Sequence, residues 1–182
     1  MSTAIPAWEI VLPKEYPLVL LSATIVTTLC FLLAPLVIKP ARDRTFTKEF
    51  MEKFKEEHEA AFPGTSPAVG GFPDCGDGRY SDKLPYKNWV DFNNCYRVHQ
   101  NAIEALPMTI TVLLISGLIL PKITMYVGFF HAGARVVYSI MYVTSGSDAR
   151  KLGAIAGSLP LYLLALATFV YLIMDIVNAS SP

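Results

Sequence analysis

Charged residues are scarce in this chain, and their scarcity is the first indication of its class. Of 182 residues, 16% are charged and 53% are hydrophobic, whereas soluble domains carry about 25% charged residues. The deficit predicts a membrane protein. Basic and acidic residues balance to a formal net charge of zero, and no basic tract indicates a nucleic-acid partner.

Cysteine is also rare, and the motifs of soluble enzymes are missing. Cys30, Cys75 and Cys95 are odd in number, far apart and free of any CxxC spacing, which argues against a disulfide framework or a zinc site. The sequence contains no GxSxG, HExxH, P-loop or GxGxxG motif. We therefore expect neither a metal centre nor a nucleotide-binding fold.

Long apolar runs are what the chain has in their place. A bilayer-spanning helix needs about 20 apolar residues, and four stretches qualify, at about 17–39, 92–120, 122–145 and 152–177. They predict an all-α membrane protein, a four-transmembrane-helix bundle forming a single domain. Pro35 should kink or loosen the last turns of the first span, and Pro107 should bend the second.

A long loop, at about 41–90, separates the first two spans. Phe50 and Phe54 recur at helical spacing within 47–60, which predicts a short amphipathic helix at the membrane surface or, equally, a solvated charged helix. The loop and the Arg150–Lys151 connection carry most of the basic residues. The positive-inside rule places both on the cytosolic side and the termini outside.

The most informative stretch is the polar start of the second span. Arg97, Asn101 and Glu104 are spaced four and then three apart, so they share one helical face. Ionisable groups at membrane depth are costly and usually mark a site. An arginine fork, an amide and a carboxylate suit a small zwitterion such as an amino acid or peptide. The alternative is that Arg97 and Glu104 pair with each other and stabilise helix packing.

A second polar stripe lies on the third span. His131, Arg135, Tyr138 and Tyr142 follow at intervals of four, three and four residues, so they stack on one face. Taken alone, the tyrosines are typical of core or interfacial residues. His131 is typical of a core histidine with its hydrogen bonds made inside the protein. Both stripes lie toward the same, cytosolic end, and their convergence makes a binding site there plausible.

At these residues the chain resembles the MAPEG superfamily, the membrane-associated proteins in eicosanoid and glutathione metabolism. The segment FNNCYRVHQNAIEALP resembles the superfamily's second-helix signature, and KEYPLVLL, GRYSDKLPYKNW and RVVYSIMYVTSG also match. The similarity covers nearly the whole chain. Within the superfamily, the chain resembles the microsomal glutathione S-transferase 3 type.

The resemblance implies a homotrimer with sites between subunits and glutathione as the co-substrate. The residues that it assigns to glutathione binding are Arg42, Arg97, His99, Asn101, Glu104, Tyr138 and Tyr142. Leukotriene-forming relatives carry a thiolate-stabilising arginine seven residues after the second tyrosine, where this chain has Ala149 followed by Arg150. A shift of one helical residue turns a side chain by 100°, so Arg150 reaching the sulfur is in doubt. Arg150 and Tyr142 remain the catalytic candidates.

The resulting hypothesis is a membrane-bound glutathione transferase or glutathione-dependent peroxidase acting on lipophilic electrophiles or lipid hydroperoxides. Its expected partners are membrane lipids and a lipophilic substrate, and its expected location is the endoplasmic reticulum or mitochondrial membrane. Ala149 and the long loop keep an alternative open: a catalytically inactive structural subunit of a larger membrane complex. No metal is required in either case.

Overall fold

The computed structural model describes residues 12–180, with the side chain of Leu152 excepted, and every regular element in that range is helical. The first rod consists of α1 (Tyr16–Leu33), a π-helical segment (Ala34–Ile38) and α2 (Lys39–Thr45). Two short helices, α3 (Lys48–Met51) and α4 (Lys55–Ala61), flank a 3-10 turn, and another 3-10 turn spans Ser81–Lys83. Three long helices follow: α5 (Tyr86–Ile119), α6 (Pro121–Ser145) and α7 (Arg150–Ser180).

Three helices are long and apolar enough to cross a membrane: Tyr16–Thr45, Tyr86–Ile119 and Gly153–Ser180. Helix α6 is less apolar, since it carries Lys122, His131 and Arg135. The α5 helix has 34 residues, which at 1.5 Å each make it about 51 Å long. Because the hydrocarbon layer is about 30 Å thick, α5 extends well beyond it.

The prolines within the first rod and within α5 have different effects on the helix. Pro35 lies in the π-helical segment, where a residue without an N–H and with a ring that crowds the preceding turn favours a widened turn. This is the loosening that the sequence predicts. In contrast, α5 remains one continuous helix through Pro107.

The long helices pack closely where small residues face a neighbour. Helix α6 contacts α1, α5 and α7. A Cβ added at Gly153 of α7 would lie 2.9 Å from the Tyr138 Cα atom of α6, whereas a Cβ at Gly133 would meet nothing within 4 Å. Gly153 therefore sets the α6–α7 separation at Tyr138. Gly133 of α6, in contrast, faces open space.

The segment between α2 and α5 folds back on the chain, and we call it the 46–85 lobe. Phe46 is fully buried, Phe54 is nearly so, and Phe46 packs edge-on against Phe92 of α5 at 5.0 Å between ring centroids. The apolar face of α3 and the 3-10 turn that follows it thus packs against α2 and the start of α5. This intrachain contact differs from both the membrane-surface helix and the solvated helix that the sequence predicts.

A buried carboxylate organises the Gly- and Pro-rich part of the lobe. Asp74 accepts hydrogen bonds from the backbone N–H groups of Gly76 (2.7 Å), Tyr80 (2.9 Å) and Ser81 (2.8 Å), and from the Ser81 hydroxyl. Burial would raise the pKa of Asp74, but the hydrogen bonds from Ser81, Gly76 and Gly78 outweigh it and hold this pKa below its ordinary value.

Replacing Gly153 by Ala should lower the thermal unfolding midpoint of the protein in detergent, because the new Cβ meets Tyr138 backbone atoms that cannot move independently. We expect a loss of about 1–3 kcal/mol, as for overpacked cores. The matched control is Gly133→Ala, which adds a helix-favouring residue in open space and should leave the midpoint unchanged or slightly raised. Equal shifts in the two variants would contradict this account.

Replacing Asp74 by Asn should destabilise the 46–85 lobe by about 1–3 kcal/mol at neutral pH, because the buried N–H donors lose a charged acceptor. The Asp74 carboxyl has a lower pKa in the folded protein than in the unfolded chain, where the pKa is about 3.9. Its ionised form therefore stabilises the fold fully above pH about 3.9, and this stabilisation is lost as the pH falls through the folded-state pKa. The variant's deficit should therefore shrink toward zero in acid. The deficit in stability is measured by amide hydrogen exchange of residues 70–85 at a series of pH values. Asp82→Asn, at an exposed position, is the control. A deficit that is constant with pH would refute the role of the carboxylate charge.

Candidate functional site

The predicted stripe is present on one face of α5. Arg97 and Glu104 are exposed and Asn101 is half-buried. Gln100 donates a hydrogen bond to Glu104 at 3.2 Å. No ion pair among residues 12–180 includes Arg97 or Glu104. The mutual pairing of Arg97 with Glu104, which the sequence left open, is not what the helix adopts.

The two tyrosines of α6 are buried and connect this stripe to the rest of the bundle. The Asn101 amide nitrogen donates to the Tyr138 hydroxyl at 2.7 Å. The Tyr138 and Tyr142 rings pack edge-on with centroids 5.7 Å apart, and Val98 of α5 is fully buried against both. The two polar stripes that the sequence predicts to converge therefore meet at Asn101 and Tyr138.

Arg150 completes the group from α7. Its Nη1 donates to the Tyr142 hydroxyl at 3.1 Å, and its guanidinium carbon lies 4.9 Å from the centre of the Tyr142 ring. Helix α7 begins at Arg150, so Ala149 lies in the preceding turn. The expected 100° displacement applies only to residues on one helix. Placed at the first turn of α7, Arg150 instead points back to Tyr142.

An open cleft of about 400 Å³ lies where these side chains meet. Its lining residues are Asn101, Tyr138, Arg150, Lys151, Ala154 and Ile155. Sequence reasoning missed the last three. Lys151 follows Arg150 in a basic pair, and Ala154 lies one helical turn beyond it, so the start of α7 was the available signal. Lys151 also pairs with exposed Asp148 at 2.9 Å.

Two predicted ligand residues lie away from this cleft. Arg42 is buried in the 46–85 lobe, where Nη1 donates to the Gly70 carbonyl at 2.9 Å and Nη2 to the Asp74 carbonyl at 2.6 Å. Its guanidinium also stacks over Phe72 at 4.1 Å. His99 lies about 200° around α5 from Arg97, and Gln100 shares the stripe face in its place. The roles of Arg42 and His99 in ligand binding stay predictions.

His131 is a core histidine, in agreement with the alternative favoured by the sequence. It is buried, and its Nδ1 lies 2.8 Å from the Gly157 carbonyl of α7. Arg135, one turn further along α6, places its guanidinium carbon 4.7 Å from the centre of the Tyr138 ring. His131 therefore joins α6 to α7 and does not line the cleft.

The side chains at and beside the cleft supply charged and neutral groups for a polar ligand. In the described part of the chain, no group of three or more His, Cys, Asp or Glu side chains could ligate an ion. Arg97 and Arg150 are planar donors that match carboxylates and thiolates. Glu104 can accept from an ammonium, and Asn101 and the phenols supply neutral hydrogen bonds.

Comparison with known proteins agrees with this architecture. No curated protein matches the chain. The sequence model of the MAPEG family matches residues 19–170, a range that includes the α5 stripe, both tyrosines and Arg150. With most of its length matched and its apolar helices long enough to span a bilayer, the chain is an integral membrane protein of the MAPEG family.

Proposed function

We propose that this protein is a membrane-bound glutathione transferase or glutathione-dependent peroxidase, related to the microsomal glutathione S-transferase 3 branch. The observation that carries the proposal is the pair of contacts Asn101–Tyr138 and Tyr142–Arg150. They draw three helices around one cleft that is lined by the cations Arg150 and Lys151. Arg97 and Glu104 lie exposed on α5, one helical turn to either side of Asn101.

The charged side chains at and beside the cleft are complementary to the charged groups of glutathione. The tripeptide has two carboxylates, one ammonium and a thiol that becomes negative on ionisation. Arg97 and Lys151 are suited to the carboxylates, and Glu104 to the ammonium. Asn101 and Tyr138, already hydrogen-bonded at 2.7 Å, present a fixed amide and hydroxyl to the peptide backbone. Arg97 and Glu104 have no ion-pair partner among residues 12–180, which is energetically costly for ionisable groups near membrane depth. The bound ligand would supply the opposite charges.

Arg150 and Tyr142 are the proposed thiolate-stabilising pair. A free thiol has a pKa of about 8.5, and a cation within about 4–6 Å lowers such a value by about 1–3 units. A 3.1 Å bond holds Arg150, which lines the cleft, against the Tyr142 hydroxyl. Arg150 would take the place of the arginine that is missing at Ala149, because it reaches Tyr142 from the start of α7.

The chemistry would then follow from the thiolate. In transfer, sulfur donates an electron pair to an electrophilic carbon, and the carbon–sulfur bond forms as the leaving group departs or a ring opens. In peroxide reduction, sulfur attacks the terminal peroxide oxygen and releases an alcohol. A second glutathione then displaces water to give the disulfide, so two thiols supply the two electrons. Lipophilic substrates would enter from the bilayer.

The proposed assembly is a homotrimer of four-span subunits. Helix α6 would be the fourth span, since it packs against α1, α5 and α7 and the other three helices are apolar enough to cross. A neighbouring subunit would cover exposed Arg97 and Glu104, and His99 would reach glutathione only across that boundary. The 46–85 lobe, flanked by the basic residues Arg42, Arg44 and Lys87, and the α6–α7 turn, followed by Arg150 and Lys151, would face the cytosol, in the endoplasmic reticulum or mitochondria.

A structural role in a larger membrane complex is the second candidate. It is favoured by Ala149 and by the folded 46–85 lobe, whose exposed Phe62, Val69 and Phe72 offer apolar surface to a partner. An inactive subunit could retain the cleft and still bind glutathione. Binding and turnover therefore have to be measured separately.

Replacing Arg97 by Ala should weaken glutathione binding about tenfold or more, because a charge-assisted hydrogen bond to a carboxylate is lost. Calorimetric titration of the purified protein with S-methylglutathione, which cannot react, isolates binding from catalysis. Arg97→Lys should recover part of the affinity, and Lys122→Ala, which removes an exposed charge at the opposite end of α6, should not change it. Wild-type protein without measurable affinity would rule out the glutathione site.

Replacing Arg150 by Ala should raise the apparent pKa of the pH–rate profile for conjugation of an aryl halide by about 1 unit or more, since the thiolate loses its cation. Arg150→Lys should shift it less, while S-methylglutathione affinity stays near the wild-type value. Peroxide reduction should fall in parallel. Wild-type protein that binds the tripeptide yet turns over no faster than Arg150→Ala would favour the inactive structural subunit.

A further inference from the structure

A second cavity lies between α1, α5 and α6, on a different side of α5 from the Arg97 stripe. Its volume of about 350 Å³ is at the small end of ligand-binding pockets. The lining along α6 runs from His131 to Thr144, which is about 20 Å at the helical rise. Its wall is largely aliphatic, formed by Leu29, Leu33, Ala105, Leu106, Val136 and Ile140. An elongated apolar cavity of this size fits one hydrocarbon chain.

One side chain in this wall contradicts its apolar character. Arg135 lines the cavity, and its Nη2 is buried without a hydrogen-bond partner in the part of the chain that the structure describes. The Arg135 guanidinium also lies against the face of the Tyr138 ring, 4.7 Å away. Arg135 is half-buried as a whole, but burying a guanidinium nitrogen without a hydrogen-bond acceptor is unfavourable. A charge retained in this setting calls for a counter-ion.

The neighbouring polar groups cannot supply that counter-ion. His131 is engaged by the Gly157 carbonyl, and the Ser139 hydroxyl donates to the backbone carbonyl of Arg135 itself. Thr109 and Cys30 also line the cavity but carry no carboxylate. No Asp or Glu is present in the lining, and no ion pair among residues 12–180 includes Arg135.

We propose that this cavity binds a single-chain amphiphile with a carboxylate head, a long-chain fatty acid, with the carboxylate on Arg135 and the chain along the aliphatic wall. Exposed Leu36 and Ile140 line the opening, so the chain would enter laterally from the bilayer. A phospholipid needs room for two chains, and a neutral lipid leaves Arg135 unpaired. The site is separate from the glutathione cleft, and its existence does not depend on the proposed function.

The test uses the full-length protein in a neutral detergent and a polyene fatty acid whose fluorescence rises in apolar surroundings. The matched probe is its methyl ester, which has the same chain without the charge. Wild-type protein should bind the acid about ten- to hundredfold more tightly than the ester, as expected for a charge-assisted hydrogen bond. Arg135→Gln should abolish that preference, and Arg135→Lys should restore part of it. Lys122→Gln is the control for a remote charge.

A second variant tests the part of the cavity that binds the hydrocarbon chain of the ligand, independently of Arg135. Ala105→Phe places a ring in the cavity and should weaken binding of the acid and the ester alike, while affinity for S-methylglutathione stays unchanged. Thermal unfolding midpoints of all variants verify that they fold. The proposal is overturned if wild-type protein binds acid and ester equally or not at all, or if Ala105→Phe leaves both affinities intact. Displacement of the probe by an anionic phospholipid but not by unlabelled fatty acid also overturns it.

Discussion

A polar or charged side chain in a membrane-spanning helix needs a partner, and this requirement accounts for the contacts that join α5, α6 and α7. His131 meets it with the Gly157 carbonyl, and Tyr142 meets Arg150 across the α6–α7 turn. Asn101 and Tyr138 satisfy each other between α5 and α6. Arg97, Glu104 and Arg135 are left without ionic partners in residues 12–180. These other polar groups are hydrogen-bonded within the bundle. The three charged residues without ionic partners therefore identify the surfaces at which a ligand would bind.

Periodicity and composition were sufficient to predict the helices and the polar stripes. Residues of one type at intervals of three and four share a helical face whatever the tertiary structure is, so Arg97, Asn101 and Glu104 could be grouped from their spacing alone. The loosening near Pro35 was also foreseeable, because proline's missing N–H acts locally. Family membership rested on the same residues and is confirmed by the match over 19–170.

Contacts between distant parts of the chain were not predictable from spacing. Two donors of Arg42, a predicted ligand residue near a span end, bond the Gly70 and Asp74 carbonyls of the 46–85 lobe. Arg150 bonds Tyr142 from the start of α7, after a turn that is not helical. Phe50 and Phe54 suggested a membrane or solvent surface, but Phe46 and Phe92 pack on that face. Each of these contacts depends on how the chain folds back on itself, which helical periodicity does not describe.

The length of α5 has a consequence for the membrane that surrounds the protein. Its first turns carry Phe92, Trp89 and Asn93, which hold the 46–85 lobe through ring packing and through the Gly76 carbonyl. The Arg97 stripe comes immediately afterwards on the same rigid rod. A thicker bilayer draws this boundary inward and a thinner one exposes it, through the tilt that corrects hydrophobic mismatch. Lipid thickness thereby becomes a variable that sets how deeply the polar stripe and the adjoining lobe are immersed.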